Sequence, residues 1–471
     1  MATTHTTSKN HHPRVTPTRS RLWVPVLCWL AVVFDGFDAV VLGTVLPSLI
    51  EDPTMNVTAA SGTWIASIGL VGMMIGALAS GNLTNRFGRR NLLLGSVLAF
   101  SLLTALTAFA PGAVTIGLLR FLAGIGLGGC LPTAISMVTE FAGVRRGANA
   151  TTMLMTGYHV GAVITALLAV GIMTSFDFGW KVMFLIGGLP IIALLPVMWK
   201  YLPESPQYLL LKGRTEEAQR IADAYGVDLT DALAAQAKAD AEPVSEQSQN
   251  RALSMLFTPQ YRWITVLIWV GAFMGLLLVY GLNTWLPQIM VAADYDLGNS
   301  LGFLVVLNAG AVIGLMFAGK VGDRISPRRA ATIWFIGAAV MLMLLTVRLP
   351  MGGLYLFVFL TGIFVFSAQN LVTAFAATHY PPEARGAAIG MSLGVGRLGA
   401  ISGPIIGGGL LTAGLAYPWG FFAFAIVGVL GGIALASARR FERASNARQA
   451  QLLQAAEAET LEKVHAEAIS R

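Results

Sequence analysis

Two aspartates three residues apart, Asp35 and Asp38, interrupt an apolar run over 22–49 that carries no other charge. On a helix they share a face about 5–6 Å apart. Two carboxylates that close in a low dielectric cannot both ionise cheaply, so the pair suits proton handling, with Asp38, the deeper of the two, the first choice as carrier. The alternative is structural: one Asp caps a break at Gly36 or pairs with an arginine. Arg397 lies in the middle of another apolar run, and Arg120 opens a Gly-rich one. A charge at the centre of a membrane helix costs at least about 2.5–3.5 kcal/mol, so each needs a partner or a task. A guanidinium fork fits a substrate carboxylate, which makes Arg397 the anion-binding choice against structural pairing.

These residues must be held by something that tolerates lipid. The chain of 471 residues is 55% hydrophobic and 12% charged, with a mean hydropathy of +0.68. Runs such as Leu22–Leu49, Leu92–Ala110, Ala113–Thr139 and Val182–Trp199 approach or exceed the roughly 20 residues that cross a bilayer. Twelve spans are expected, at 22–50, 60–82, 91–110, 113–139, 148–174, 181–201, 262–287, 299–320, 330–348, 351–378, 386–414 and 417–438. Basic residues alternate between loops: Arg86, Arg89, Arg90, then Arg145, Arg146, then Lys320, Arg324, Arg328, Arg329, then Arg385. By the positive-inside bias both termini lie in the cytoplasm. The net charge of +7 is therefore a topology signal, and no nucleic-acid partner is expected. The tail 1–21, with His5, His11 and His12, lacks an apolar core followed by a small-residue cleavage site and reads as a disordered cytoplasmic arm. With Cys28 and Cys130 both inside spans, neither a disulfide framework nor a Cys-based metal site is supported.

The spans fall into two related sets. Gly43–Pro47 matches Asn283–Pro287 at an offset of 240, Gly81–Phe87 matches Gly319–Ile325 at 238, and Arg146–Ala148 matches Arg385–Ala387 at 239. Three matches at nearly one offset predict an all-α membrane protein of two six-helix bundles, 22–201 and 262–438, around a central cavity. They are joined by a cytoplasmic linker, 202–261, with helix-favouring runs Thr215–Tyr225 and Thr230–Ala241, and followed by a cytoplasmic helix or tail, 439–471. In this alignment Asp35 and Asp38 correspond to Gly275 and Leu278, and Arg397 to Tyr158. Proton handling is thus expected in the first half and anion binding in the second. Tyr158 falls on the cavity face, where its ring could stack on an aromatic ligand. His159 is either a proton relay or a hydrogen-bonded structural residue. Asn283, Trp285, Gln288, Gln369 and Asn370 are expected to line the cavity, with helix–helix hydrogen bonding the alternative for each amide. The run Gly124–Gly129 has no preceding strand and reads as close helix packing, like Gly62, Gly69, Gly72 and Gly76, and not as a nucleotide fingerprint.

The loop Gly81–Asn82–Leu83–Thr84–Asn85–Arg86–Phe87–Gly88–Arg89–Arg90 resembles the signature joining helices two and three in the major facilitator superfamily, with Asn85 in place of the usual aspartate. That resemblance implies a cytoplasmic gate at Gly81, Asn85, Arg86, Gly88 and Arg89, weakened by Asn85, with Asp323 and Arg324 in the second copy. Pro203–Leu209 looks like the stretch after helix six in sugar and organic-ion branches. Asp35–Gly36–Phe37–Asp38 and Gly394–Gly399 with Gly403–Pro404 are similar to motifs of the aromatic acid:proton symporters. The resemblance implies import of a benzoate-like carboxylate with protons across a bacterial inner membrane. It assigns Arg120 to coupling with Asp35, Asp38 or Glu140; Glu140 is equally suited to pairing with Arg145 or Arg146.

The expected function is therefore proton-coupled uptake of a small aromatic carboxylate by a monomeric transporter with no cofactor or metal, the proton being the coupling ion. A sugar or organic-cation facilitator is the nearest rival, and Arg397 counts against it. A non-transporting sensor of an aromatic acid is the rival from another class. No catalytic set is present for an enzyme.

Overall fold

The computed structural model describes residues 22–142, 147–227, 229, 253–347, 350–380 and 382–441. The tail 1–21, Arg145, Arg146, the run 230–241 and most of 439–471 lie outside them. Among the described residues, 12 helices are long and apolar enough to cross a membrane. In the first half these are α1 (Trp23–Glu51), α2 (Ala59–Phe87), α3 (Arg89–Thr107), α4 (Ala113–Ala142), α5 (Gly147–Met173) and α6 (Gly179–Tyr201). In the second they are α7 (Arg262–Val291), α8 (Leu297–Ile325), α9 (Pro327–Leu344), α10 (Met351–His379), α11 (Pro382–Thr412) and α12 (Trp419–Phe441). A helix satisfies its own backbone hydrogen bonds, the condition for crossing hydrocarbon. The protein is a multi-pass membrane protein.

Several helices overrun their expected ends. The signature Gly81–Phe87, expected as a loop, is the last turns of α2; only Gly88 separates α2 from α3. Its φ of +90° suits a residue without Cβ. In the second copy Ser326 takes that place at φ +96° and its hydroxyl caps the Arg329 N–H. The sixth span is not one rod. It is three pieces, Gly179–Ile186, Leu189–Ala193 and Leu195–Tyr201, the last two opening on Pro190 and Pro196 in their first turns, where a missing N–H does least harm. Short helices Pro206–Leu211 and Thr215–Tyr225 follow it.

Both halves use the same pairings: α1 runs along α5 and α2 along α4, as α7 runs along α11 and α8 along α10. Small residues make these approaches. Gly72, Gly124 and Gly128 each face backbone of the opposite helix in the α2/α4 pair, and Gly310 and Gly362 do the same between α8 and α10. The halves meet through α1 with α7, α2 with α11, and α5 with α8. Among the contacts joining them, Gly43 abuts Asn283 and Gly408 abuts Thr63 in the parts of these helices away from the basic loops, and Arg397 of α11 reaches Met73 of α2. This leaves the midplane charges beside a seam.

Candidate functional site

Asp38 is locked to Arg120. Nη1 of Arg120 donates to both Asp38 oxygens at 3.1 and 3.0 Å. Thr104 of α3 bridges the pair, donating to Asp38 Oδ1 and accepting from Arg120 Nη2. The guanidinium also lies 5.4 Å from the centre of the Phe184 ring. Both charged residues are about 5% exposed, so this is a buried, compensated pair built by α1, α3 and α4. Of the three acids expected as partners of Arg120, the structure selects Asp38.

Three residues earlier on the same helix, Asp35 is as deeply buried, but its Oδ1 has no hydrogen-bond partner. Its cationic neighbour is Arg397 of α11, close enough to act electrostatically but beyond ion-pair distance. Arg397 Nη1 instead donates to the Met73 sulfur at 2.9 Å and the Tyr280 hydroxyl at 3.2 Å. A thioether and a phenol are weak acceptors for a guanidinium, and its fork is left without a carboxylate. Tyr280 and Met73 also stand with Asp38 and Arg120 in the wall of a small cavity between α1, α2, α4 and α7. One wall thus borders both charged centres.

On α5, Tyr158 is 9% exposed and sits within electrostatic reach of Asp35, Tyr280 and Arg397. His159 is edge-on both to Tyr158 and, across the halves, to Phe366 of α10, with ring centres 5.3 Å apart in each case. Its Nδ1 is buried without a partner, as are both side-chain polar atoms of Gln369. Asn370, by contrast, is exposed and donates to the Phe366 carbonyl of its own helix.

On α7 one expectation is corrected and one alternative is selected. Trp285 does not line the cavity: it is fully buried, donates from Nε1 to the Pro404 carbonyl at 2.8 Å, and is wedged against Gly407 and Gly408. An indole N–H at membrane depth needs an acceptor, and α11 supplies one. Asn283 accepts a 3.0 Å bond from Asn308 of α8, which makes it a helix–helix contact. Gln288 is buried near the end of α7 away from the basic loops.

Glu140 does not join Arg120. Twenty positions from Arg120 on α4, it is about 30 Å away by helical rise. It pairs with Arg89 and accepts from Ser205 Oγ at 2.7 Å and the Gln207 N–H at 2.6 Å. Beside it Glu204 accepts from the backbone N–H groups of Arg89, Arg90 and Ser205. Gly88 is buried against Glu204, and the Tyr208 hydroxyl donates to the Arg86 carbonyl. Gly81, Asn85 and Arg86 are exposed, as are Asp323 and Arg324 in the second copy.

Thr104, Met73 and Tyr280 were not legible as site residues. A threonine and a methionine are ordinary inside a span. Tyr280 carried the better signal, a phenol at membrane depth two residues beyond the counterpart of Asp38.

The chain matches the profile of the Major Facilitator Superfamily over residues 28–315 and 298–466. It is 34% identical to a benzoate transport protein of Acinetobacter baylyi over 418 residues, 87% of each chain. It shares 34% with a gentisate transporter of Corynebacterium glutamicum, covering 90% of this chain and 88% of the other, and 34% with a gallate transporter of Pseudomonas putida, covering 83% and 86%. Among solved structures, a partially occluded inward-open form of the xylose transporter XylE from E. coli superposes with a TM-score of 0.69 at 15% identity, covering 88% of this chain and 97% of that one. That likeness carries the fold alone. With the profile spanning most of the chain and relatives matching nearly end to end, this protein belongs to the Major Facilitator Superfamily and is a membrane transporter, not an enzyme.

Proposed function

We propose that this transporter takes up a benzoate-like aromatic carboxylate together with protons across the bacterial inner membrane, by alternating access, with both termini in the cytoplasm. The observation that carries the reading is the state of Arg397, a midplane guanidinium facing a phenol, a thioether and a distant carboxylate. An aromatic carboxylate would supply the missing bidentate acceptor, with Tyr158 and Tyr280 beside its ring. The relatives named for benzoate, gentisate and gallate support the same substrate class.

The unpartnered Asp35 sharpens the choice between the two aspartates. A buried carboxyl without a partner is far cheaper to keep neutral than charged, which suits Asp35 to carry the transported proton while Asp38 stays tied to Arg120. Substrate arriving at Arg397 then enters beside a neutral acid instead of a repelling one. Release of that proton on the far side re-forms the Asp35 charge and expels the substrate. Repeat-built bundles rock around such a central site, and the exposed Arg86, Asp323 and Arg324 would meet when the basic end closes.

The test is uptake of labelled benzoate, 4-hydroxybenzoate, gentisate and protocatechuate into proteoliposomes, with and without a protonophore. Accumulation that the protonophore abolishes supports symport. Binding without movement of any of these acids would instead support a sensor, and equal uptake of sugars would support a facilitator.

A further inference from the structure

We infer that His159 and Gln369 form a second polar subsite that reads a hydroxyl on the substrate ring, so that the preferred substrate is a ring-hydroxylated benzoate and not benzoate itself. The inference rests on the proposed aromatic-acid uptake and narrows its substrate.

Two observations converge. First, His159 Nδ1 and both polar atoms of the Gln369 amide are buried with no partner, though neither residue is more than 8% exposed. Buried amides and imidazoles are ordinarily hydrogen-bonded, and an unfilled set of donors and acceptors is what a ligand completes. Second, the two belong to one place. His159 stacks edge-on against Phe366, and Gln369 is three residues along from Phe366 on α10, hence on the same face. Gln369 Oε1 presses over Gly275, the repeat counterpart of Asp35, so its amide stands where the first half has a carboxyl.

The same cluster connects to the anion site. Tyr158 touches the His159 ring and lies within electrostatic reach of Arg397. A ring whose carboxylate engages Arg397 therefore extends past Tyr158 towards groups that can both donate to and accept from a phenol: an imidazole nitrogen and a full amide. A site built around such groups rejects an analogue lacking the hydroxyl, because desolvating them without a partner is unfavourable.

The experiment compares 4-hydroxybenzoate, protocatechuate and benzoate as competitors of labelled 4-hydroxybenzoate uptake, in full-length protein in proteoliposomes. Wild type should favour the better hydroxylated acid over benzoate by at least about tenfold. His159→Phe keeps the contact with Phe366 but removes the nitrogens, and Gln369→Leu removes the amide; each should bring that ratio towards one. His159→Asn, which restores a hydrogen-bonding group, should recover part of it. Thermal melts in detergent confirm that each variant folds. A wild type that prefers benzoate, or a ratio unmoved in folded His159→Phe and Gln369→Leu, overturns the inference while leaving aromatic-acid uptake intact. Failure of wild type to move any aromatic acid overturns the underlying reading instead.

Discussion

Asp35 and Asp38 are the same residue type, one helical turn apart and equally buried, yet they live in opposite electrostatic conditions. Asp38 is held by Arg120 and Thr104, all within the first half. Asp35 faces Arg397 across the seam between halves without reaching it. The contrast teaches that a charge compensated inside one rigid bundle is fixed by folding, whereas a charge whose counterpart sits on the other bundle changes its environment whenever the bundles move. Only the second kind can report on the transport cycle. The division of labour therefore runs between an intra-half pair and a cross-half gap, and less between the two halves than the sequence alignment alone implied.

The comparison can be broken at several points. Arg120→Ala strands the Asp38 carboxylate and should cost about 3–5 kcal/mol, read as a lowered melting temperature and expression; adding Asp38→Ala should recover most of the loss. A single variant as stable as wild type would mean that the pair is not the closed unit described. Arg397→Ala, with no buried carboxylate bonded to it, should leave stability far less affected. Its uptake kcat/KM should fall about 100-fold, or about 2.7 kcal/mol, and Arg397→Lys should fall partway because an ammonium lacks the fork.

The two turns at the basic end make a smaller comparison of the same kind. Gly88→Ala forces a Cβ onto Glu204 at φ +90° and should destabilise by about 1–3 kcal/mol. Ser326→Gly relieves a similar backbone but loses the cap on the Arg329 N–H, so the two effects should roughly cancel in a melt. Equal losses in both variants would show that the first-half Glu204 network adds nothing at that turn.

The fold was legible because lipid leaves few options: apolar length marks the spans, basic residues mark the loops between them, and the offset near 240 marks the duplication. The site was legible as a list of candidates but not as a set of pairs. Spacing put Asp35 and Asp38 on one face without saying which one Arg120 would reach, since that depends on how α1 and α4 are rotated against each other. Trp285 and Asn283 read as cavity residues because polarity at depth marks need for a partner, and the partner turned out to be a neighbouring helix. Glu140 matched a coupling role by resemblance, while its place at the end of α4 bound it to Arg89 and the chain after α6. Thr104 gave no signal, since its hydroxyl matters only through the two charges it bridges.

The central claim is that the unpaired Asp35 is the proton carrier of an aromatic-acid symporter. Its most direct test is accumulation of a labelled hydroxybenzoate under an imposed inward proton gradient, measured side by side for wild type and Asp35→Asn in vesicles of matched protein content. The account predicts protonophore-sensitive accumulation by wild type and at least about a tenfold loss of it in Asp35→Asn, with the melting temperature unchanged or raised because no buried acid remains to be neutralised. Concentrative uptake by Asp35→Asn equal to wild type would contradict it.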